Sequence, residues 1–175
     1  MNLRLFGLAL LVVCLYGIPC QGQAPVSDAS IIAAIQNLTS TSDSQSPDVH
    51  FQTFYQSPAR STELLIAALK PTVRGKYLSG QHPQAVWIVR ALRSLTGMDF
   101  RASTSAELSE DEAHFLDLNG QDQILFFGTW MSRDSVWLAP KDAQVAIIKQ
   151  WRDWFSQHGH KFKYVNDRNF DDWYF

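Results

Sequence analysis

Both cysteines of this 175-residue chain, Cys14 and Cys20, lie within its first 22 residues. Arg4 is the only charged side chain in that segment, and the run from Leu5 to Leu15 is almost wholly apolar. A basic start and a short apolar stretch followed by small residues are typical of a secretory signal peptide, which we predict to be cleaved after Gly22. Because the apolar run is shorter than the roughly 20 residues that a membrane-spanning helix needs, we expect no permanent membrane span.

Cleavage at this point leaves a mature chain without cysteine, which constrains what it can fold into. Such a chain has no disulfide framework, no thiolate metal site and no cysteine nucleophile. The expected location is periplasmic or secreted, and cleavage before Cys20 with attachment of a lipid anchor is the alternative. The triplet Asn37-Leu38-Thr39 would be a glycosylation site in a eukaryotic secretory pathway.

The rest of the chain has the composition of a folded domain that does not bind nucleic acid. Hydrophobic residues make up 46% of the sequence and charged residues 18%, which favours a globule over a disordered chain. The net charge of −2 provides no basic field for phosphate contacts, so we expect no nucleic-acid partner. Residues 23–48 are predicted to hold a short helix and a Ser/Thr-rich linker, and residues 49–175 a single globular domain.

The pattern in the first half of the chain predicts helices. One is expected over 27–38, capped by Ser27 or Asp28, and the polar tract 39–48 that follows has nothing to bury. Residues 49–56 are ambiguous between a helical turn and another structure. Helices that begin at Pro58 and Pro83, the second ending near Gly97, are predicted to form a helical hairpin. The apolar residues of the first helix are Ile31, Ile32, Ile35 and Leu38.

The second half predicts a mixture of strands and helices. A capping box indicates a helix from Ser109. The apolar run Ile124–Phe127, followed by residues 128–131, and a second apolar run, Val136–Leu138, predict a β-hairpin connected by residues 132–135. A long amphipathic helix is expected over 141–157, ended by Gly159, and alternation over 161–165 predicts a further strand. The fold class predicted from this pattern is α+β, with a helical hairpin, a small antiparallel sheet and a long C-terminal helix.

The densest polar chemistry between two tryptophans lies in the predicted hairpin loop. Arg133 and Asp134 lie between Trp130 and Trp137, and an Arg–Asp pair can orient the carboxylate or hydroxyl group of a ligand. Exposed aromatic side chains mark binding patches, so these four residues are the predicted contacts for a ligand or partner protein. A solvated turn with a weak ion pair is the alternative interpretation.

Metal binding has two weak candidate sites in the sequence. His158 and His160 lie close together at a helix end, but a third ligand at diagnostic spacing is missing, and histidine with glycine is also typical of a helix C-terminus. The segment 167–172 begins like a calcium loop but has Asp172 at the sixth position, where the sharp turn needs glycine. We therefore predict no metal and no other cofactor.

The common catalytic motifs are absent from the sequence. It contains no Gly-x-Ser-x-Gly elbow, no Ser-x-x-Lys, no glycine-rich phosphate loop and no His-Glu-x-x-His. Catalytic residues therefore cannot be assigned, although a triad assembled from distant positions would not be visible in sequence.

Two stretches resemble known groups of proteins. Residues 82–97, HPQAVWIVRALRSLTG, resemble a helix of helical-hairpin repeat proteins. Residues 128–155, GTWMSRDSVWLAPKDAQVAIIKQWRDWF, together with that helix, are similar to exported bacterial proteins of unassigned function. The second resemblance implies export and assigns no residue a role.

Three functional hypotheses follow. The leading one is an exported binding or envelope interaction protein without catalytic activity, whose ligand, a protein or a small molecule, the sequence does not identify. A small envelope hydrolase or metal-dependent enzyme is the first alternative, and it requires His158, His160, Asp167 or Asp171 to converge in a pocket. An inhibitor or defence protein that inserts the 132–135 loop into a partner protein is the second.

Overall fold

A computed structural model of the protein describes residues 26–38, 48–78, 82–110, 124–125, 130–132 and 135–165. The helices of this part of the chain are α1 Asp28–Asn37, α2 Asp48–Gln56, α3 Pro58–Ala68, α4 Gln84–Thr96 and α5 Lys141–Trp154. Its strands are β1 Gly75–Leu78, β2 Arg101–Ala102, β3 Ile124–Leu125, β4 Trp130–Ser132 and β5 Ser135–Leu138. Helices and small antiparallel sheets coexist, so the predicted α+β class is confirmed.

Helices α1 and α3 begin where the local sequence predicts. Ser27 caps α1, its hydroxyl accepting a hydrogen bond from the Ser30 amide at 3.2 Å. Pro58 occupies the first turn of α3, where the missing amide hydrogen costs nothing. The ambiguous segment 49–56 belongs to α2, which buries Phe51 and Phe54. The predicted linker 39–48 lies outside the described residues except for Asp48, the first residue of α2.

Helix α4 ends at the predicted glycine. Gly97 has a φ of 67° and donates its amide to the Arg93 carbonyl at 2.7 Å, which is the left-handed termination that glycine permits without strain. Helices α3 and α4 pack against each other, as the helical-hairpin prediction requires. Strand β1, which lies in the connection between α3 and α4, was not predicted. The segment Gly75-Lys-Tyr-Leu78 carries no strand pattern of its own and is a strand because it pairs with β5.

The sheet differs from the predicted hairpin in two ways. Its strand order is β1-β5-β4, all antiparallel, so only the part of the predicted first strand next to the turn, β4, forms the hairpin with β5, and β1 pairs on the other side of β5. Ile124 and Leu125 pair instead with Ala102 and Arg101 of β2, in a separate two-stranded sheet. The predicted connection 132–135 was too long, because Ser132 and Ser135 are cross-strand partners. Apolar runs identify strand segments but not the strand that each segment pairs with.

Helix α5 packs one face against the core and is tied to its surroundings by polar contacts. Trp151 and Gln144 are fully buried. The Gln144 side chain accepts a hydrogen bond from the Thr72 amide at 2.9 Å and donates to the Ala139 carbonyl at 2.7 Å. Near the amino end of the helix, the Asp142 carboxylate accepts hydrogen bonds from the Ser105 amide at 2.8 Å and the Thr104 hydroxyl at 2.7 Å. These contacts fix the start of α5 against two distant loops.

The end of α5 departs from the prediction made for it. The helix continues as a π-helical turn over Phe155–Gly159. Gly159 is there because of close packing and not because of a positive φ: a Cβ atom at this position would overlap the Phe155 ring. The strand predicted over 161–165 was wrong, since this segment forms no strand pairing among the described residues. It is held to α4 by a hydrogen bond from the Val165 amide to the Leu95 carbonyl at 2.9 Å.

Several sequence predictions concern residues outside the described part of the chain. These are the signal peptide over 1–22, most of the helix from Ser109, of which only Ser109 and Glu110 are described, and the calcium-like segment 167–172. Among the helices that the structure describes, none is long and apolar enough to cross a bilayer.

Candidate functional site

A groove lies where α1, the C-terminal half of α3 and the start of α4 meet, and we call it the α1–α3–α4 groove. Its volume is about 410 Å³, within the range of ~300–1,000 Å³ that small-molecule sites occupy. The side chains that matter most for its chemistry are Ile32, Ile35, Leu64, Ala67, Lys70 and Ile88. The groove therefore combines aliphatic walls with one cationic side chain.

The groove exists because three helix ends converge without filling the corner between them. Pro71 follows α3 and Pro83 precedes α4, so neither helix extends across the gap. Gln84 joins the sides, since its Nε2 atom donates to the Ile35 carbonyl of α1 at 2.7 Å. Ile35 and Ile88 are buried in the walls, while Ile32 remains 43% exposed. A large aliphatic side chain is thus left partly in water at the groove.

The charges near the groove are unevenly distributed. Lys70 is exposed, and among the described residues no hydrogen-bond or ion-pair partner of its ammonium group is found. No described lining residue carries a carboxylate. Near the other end of α3, Arg60 forms ion pairs with Asp28 and Glu63. The hydrogen bond from Arg60 lowers the pKa of Asp28, which keeps that carboxylate ionised and engaged away from Lys70.

A buried aromatic and basic cluster lies beside the groove at the start of α4. His82 is 3% exposed and its ring packs against Trp87 with centroids 5.8 Å apart. The Arg90 guanidinium lies 4.9 Å from the centroid of the Trp87 ring, a cation–π contact. Burial, assisted by the positive charge of Arg90, lowers the pKa of His82 to about 4. His82 is therefore neutral at pH 7.

The structure describes only part of the predicted site on the hairpin. Trp130 belongs to β4 and pairs with Val136, so it is not the cross-strand partner of Trp137. Trp137 is half-buried in the central strand β5, opposite Lys76 of β1. Arg133 and Asp134 lie outside the described residues. The role of these four residues in contacting a ligand or partner stays a prediction.

The two histidines considered for metal binding make other contacts. The Nδ1 atom of His158 lies 3.2 Å from the Trp154 carbonyl, and the His160 ring packs against Phe155 with centroids 5.1 Å apart. Both side chains are exposed. In the described ranges, no group of three or more metal-ligating side chains is found. Asp167 and Asp171, the other residues of the enzyme hypothesis, fall outside those ranges, so that hypothesis stays untested.

The groove was not predicted from the sequence. One of its residues, Ile32, belongs to the apolar pattern of α1 and was expected to pack into the core. However, Ile32 follows Ile31, which is fully buried, and the rotation of about 100° between successive helical residues takes it off the core face. An extra isoleucine at the edge of an apolar stripe is the signal that could have indicated a second contact surface. Lys70 gives no such signal, because a lysine beside a helix end is common.

Comparison with known proteins gives no relative from which a function could be transferred: no family model, curated protein or solved structure matches this chain.

Proposed function

We propose that this chain is an exported, non-catalytic binding protein that holds a small apolar or amphipathic ligand in the α1–α3–α4 groove. The observation that carries the proposal is the groove itself, a preformed space of about 410 Å³ with aliphatic walls on three helices. Nine of the thirteen described lining residues are apolar, and concave sites of this size with mostly apolar side chains are the usual form of a ligand site. The expected export rests on the signal-like pattern of residues 1–22.

The titratable groups near the groove favour binding over catalysis. General acid–base chemistry uses side chains with shifted pKa values that converge in one cleft. Lys70 is the one titratable side chain among the described lining residues. The described groups whose pKa is shifted lie outside that lining and are engaged in structural contacts or buried. They are Asp28, Arg60, His82, Asp142 and Tyr164.

The exposed apolar surface at the groove provides the driving force for binding. Ile32 is 43% exposed in the free protein, and Leu64 is half-buried. Covering aliphatic surface is worth about 25 cal/mol for each Å² removed from water. A ligand that fills the groove would therefore be bound chiefly by apolar burial, with the polar side chains setting its orientation.

The test is a titration of the mature protein with the neutral fluorophore N-phenyl-1-naphthylamine. We expect saturable binding, and we expect Ala67→Trp to raise its Kd by about tenfold or more, since an overpacked site costs roughly 1–3 kcal/mol. Ala67 is exposed and lines the groove, so the larger side chain fills the ligand space and not the core.

The matched control is Ala33→Trp, which places the same side chain at an exposed position of α1 away from the groove lining. It should bind the fluorophore like the unmodified protein. Equal weakening in both variants, or no saturable binding at all, would contradict the proposal. Circular dichroism of both variants establishes that they remain folded.

A further inference from the structure

We propose that the ligand of the α1–α3–α4 groove carries an anionic head group, as a medium-chain carboxylate does, and that Lys70 binds this head group. This inference rests on the proposed function, because it needs a ligand whose apolar part occupies the groove. It adds the chemical class of that ligand and the residue that selects it.

The charge distribution indicates an anion. Lys70 is the one charged side chain among the described lining residues. The acids on α1 and α3, Asp28 and Glu63, form ion pairs with Arg60. A cation at the edge of an apolar space is complementary to an amphipathic molecule with a single negative charge. A cationic amphiphile would meet repulsion at the same position.

Two other polar residues of the groove, Gln84 and Thr72, already make hydrogen bonds within the protein. The Gln84 amide donates to the Ile35 carbonyl at 2.7 Å. The backbone amide and carbonyl of Thr72 are bonded to Gln144 at 2.9 Å and 3.2 Å. Lys70 is therefore the lining group best placed to meet a charged head without breaking an existing contact.

The size of the groove indicates a short apolar tail. Its volume of about 410 Å³ lies near the lower end of the ~300–1,000 Å³ range of small-molecule sites. Ile35, Leu64 and Ile88 provide aliphatic surface for a flexible chain. A saturated chain of medium length would fit a space of this size and pack against these aliphatic side chains.

The experiment measures displacement of N-phenyl-1-naphthylamine by decanoate, decan-1-ol and decylamine, each below the concentration at which it aggregates. We expect decanoate to bind about two- to fivefold more tightly than decan-1-ol, the range for an exposed ion pair, and decylamine to bind most weakly. Lys70→Gln should remove the preference for decanoate, and Lys70→Arg should retain it. Lys161→Gln, which changes an exposed lysine outside the groove lining, is the matched control and should leave the preference unchanged.

Comparison of octanoate with decanoate reports on the tail separately. Each methylene that enters the groove should tighten binding about fourfold, from the ~0.8 kcal/mol of one buried methylene. If decanoate and decan-1-ol displace the fluorophore equally well, or if Lys70→Gln keeps the preference, the inference is overturned while the proposed function stands. If the fluorophore does not bind, or if it binds equally well to Ala67→Trp, both the proposed function and the inference about Lys70 are contradicted.

Discussion

Helices α4 and α5 have nearly the same length, 13 and 14 residues, and both have amphipathic sequences, yet the fold surrounds them differently. In α4, every residue from Ile88 to Thr96 is buried. Helix α5 buries one face and keeps the other in water. The buried residues of α5 are Ala143, Gln144, Ile147, Ile148 and Trp151.

The polar side chains of α4 are buried together with their partners. The Thr96 hydroxyl donates to the Leu92 carbonyl at 2.7 Å, and the Ser94 hydroxyl is hydrogen-bonded to that of Tyr55. The Nε atom of Arg93 lies 3.2 Å from Oδ1 of Asp99, which makes an ion pair that is not aligned as a hydrogen bond. Buried polar groups need such partners, whereas exposed ones are satisfied by water. An amphipathic pattern thus predicts a helix but not whether its polar face meets solvent.

The largest expected effect on stability is that of Arg93 in the last turn of α4, which we compare with Arg152 in the last turn of α5. Arg93 of α4 is 6% exposed, while Arg152 of α5 is exposed. Arg93→Ala should lower the free energy of unfolding by about 3 kcal/mol, because it removes packing and leaves the partly buried Asp99 carboxylate without its ion pair. Arg152→Ala should change it by no more than about 0.5 kcal/mol. Urea denaturation followed by circular dichroism measures the free energy of unfolding of both variants. Equal decreases would contradict the proposed difference between the buried end of α4 and the exposed face of α5.

A second prediction concerns pH and the cluster at the start of α4. The pKa of His82 is about 4 in the folded protein and about 6.5 in an unfolded chain. Between these values the unfolded state binds more protons, so stability should fall as pH is lowered from 6.5 to 4, by at most about 3 kcal/mol. His82→Gln should flatten this dependence, and His158→Gln, which changes an exposed histidine, should leave it intact.

Measurement of the His82 ring signals by NMR provides a direct check on the first part of this prediction. A midpoint near 6.5 in the folded protein would show that the ring is hydrated, and it would remove the reason for the pH-dependent loss of stability.

The smallest expected effect concerns the start of α5, and it falls in a lower pH window. Hydrogen bonds from Ser105 and Thr104 hold the pKa of Asp142 well below its usual range. A lowered folded pKa stabilises the protein above the unfolded value of about 3.9, and this contribution is lost as pH falls further. Asp142→Asn should therefore lower Tm more at pH 7 than near pH 2. Thermal unfolding at both pH values tests this, and a constant difference in Tm would contradict it.

Much of the helical architecture could be predicted because its signals are local. Ser27, Pro58 and Gly97 each act within about one turn of the residue they cap or terminate. The candidate groove could not be predicted in this way. It is bounded by Ile32 of α1, Leu64 of α3 and Ile88 of α4, which become neighbours only after the helices pack.

The sequence alone determined where α1 and α3 begin, where α4 ends and the α+β class. It did so because capping, proline and glycine effects and helical periodicity act over a few residues. Tertiary structure decided that Gly75–Leu78 is a strand, because it pairs with the distant strand β5, from Gly75 opposite Leu138 to Leu78 opposite Ser135. It also decided that α4 is buried on all sides and that Ile32 faces a groove. Each of these depends on contacts between segments far apart in the chain, which no local pattern specifies.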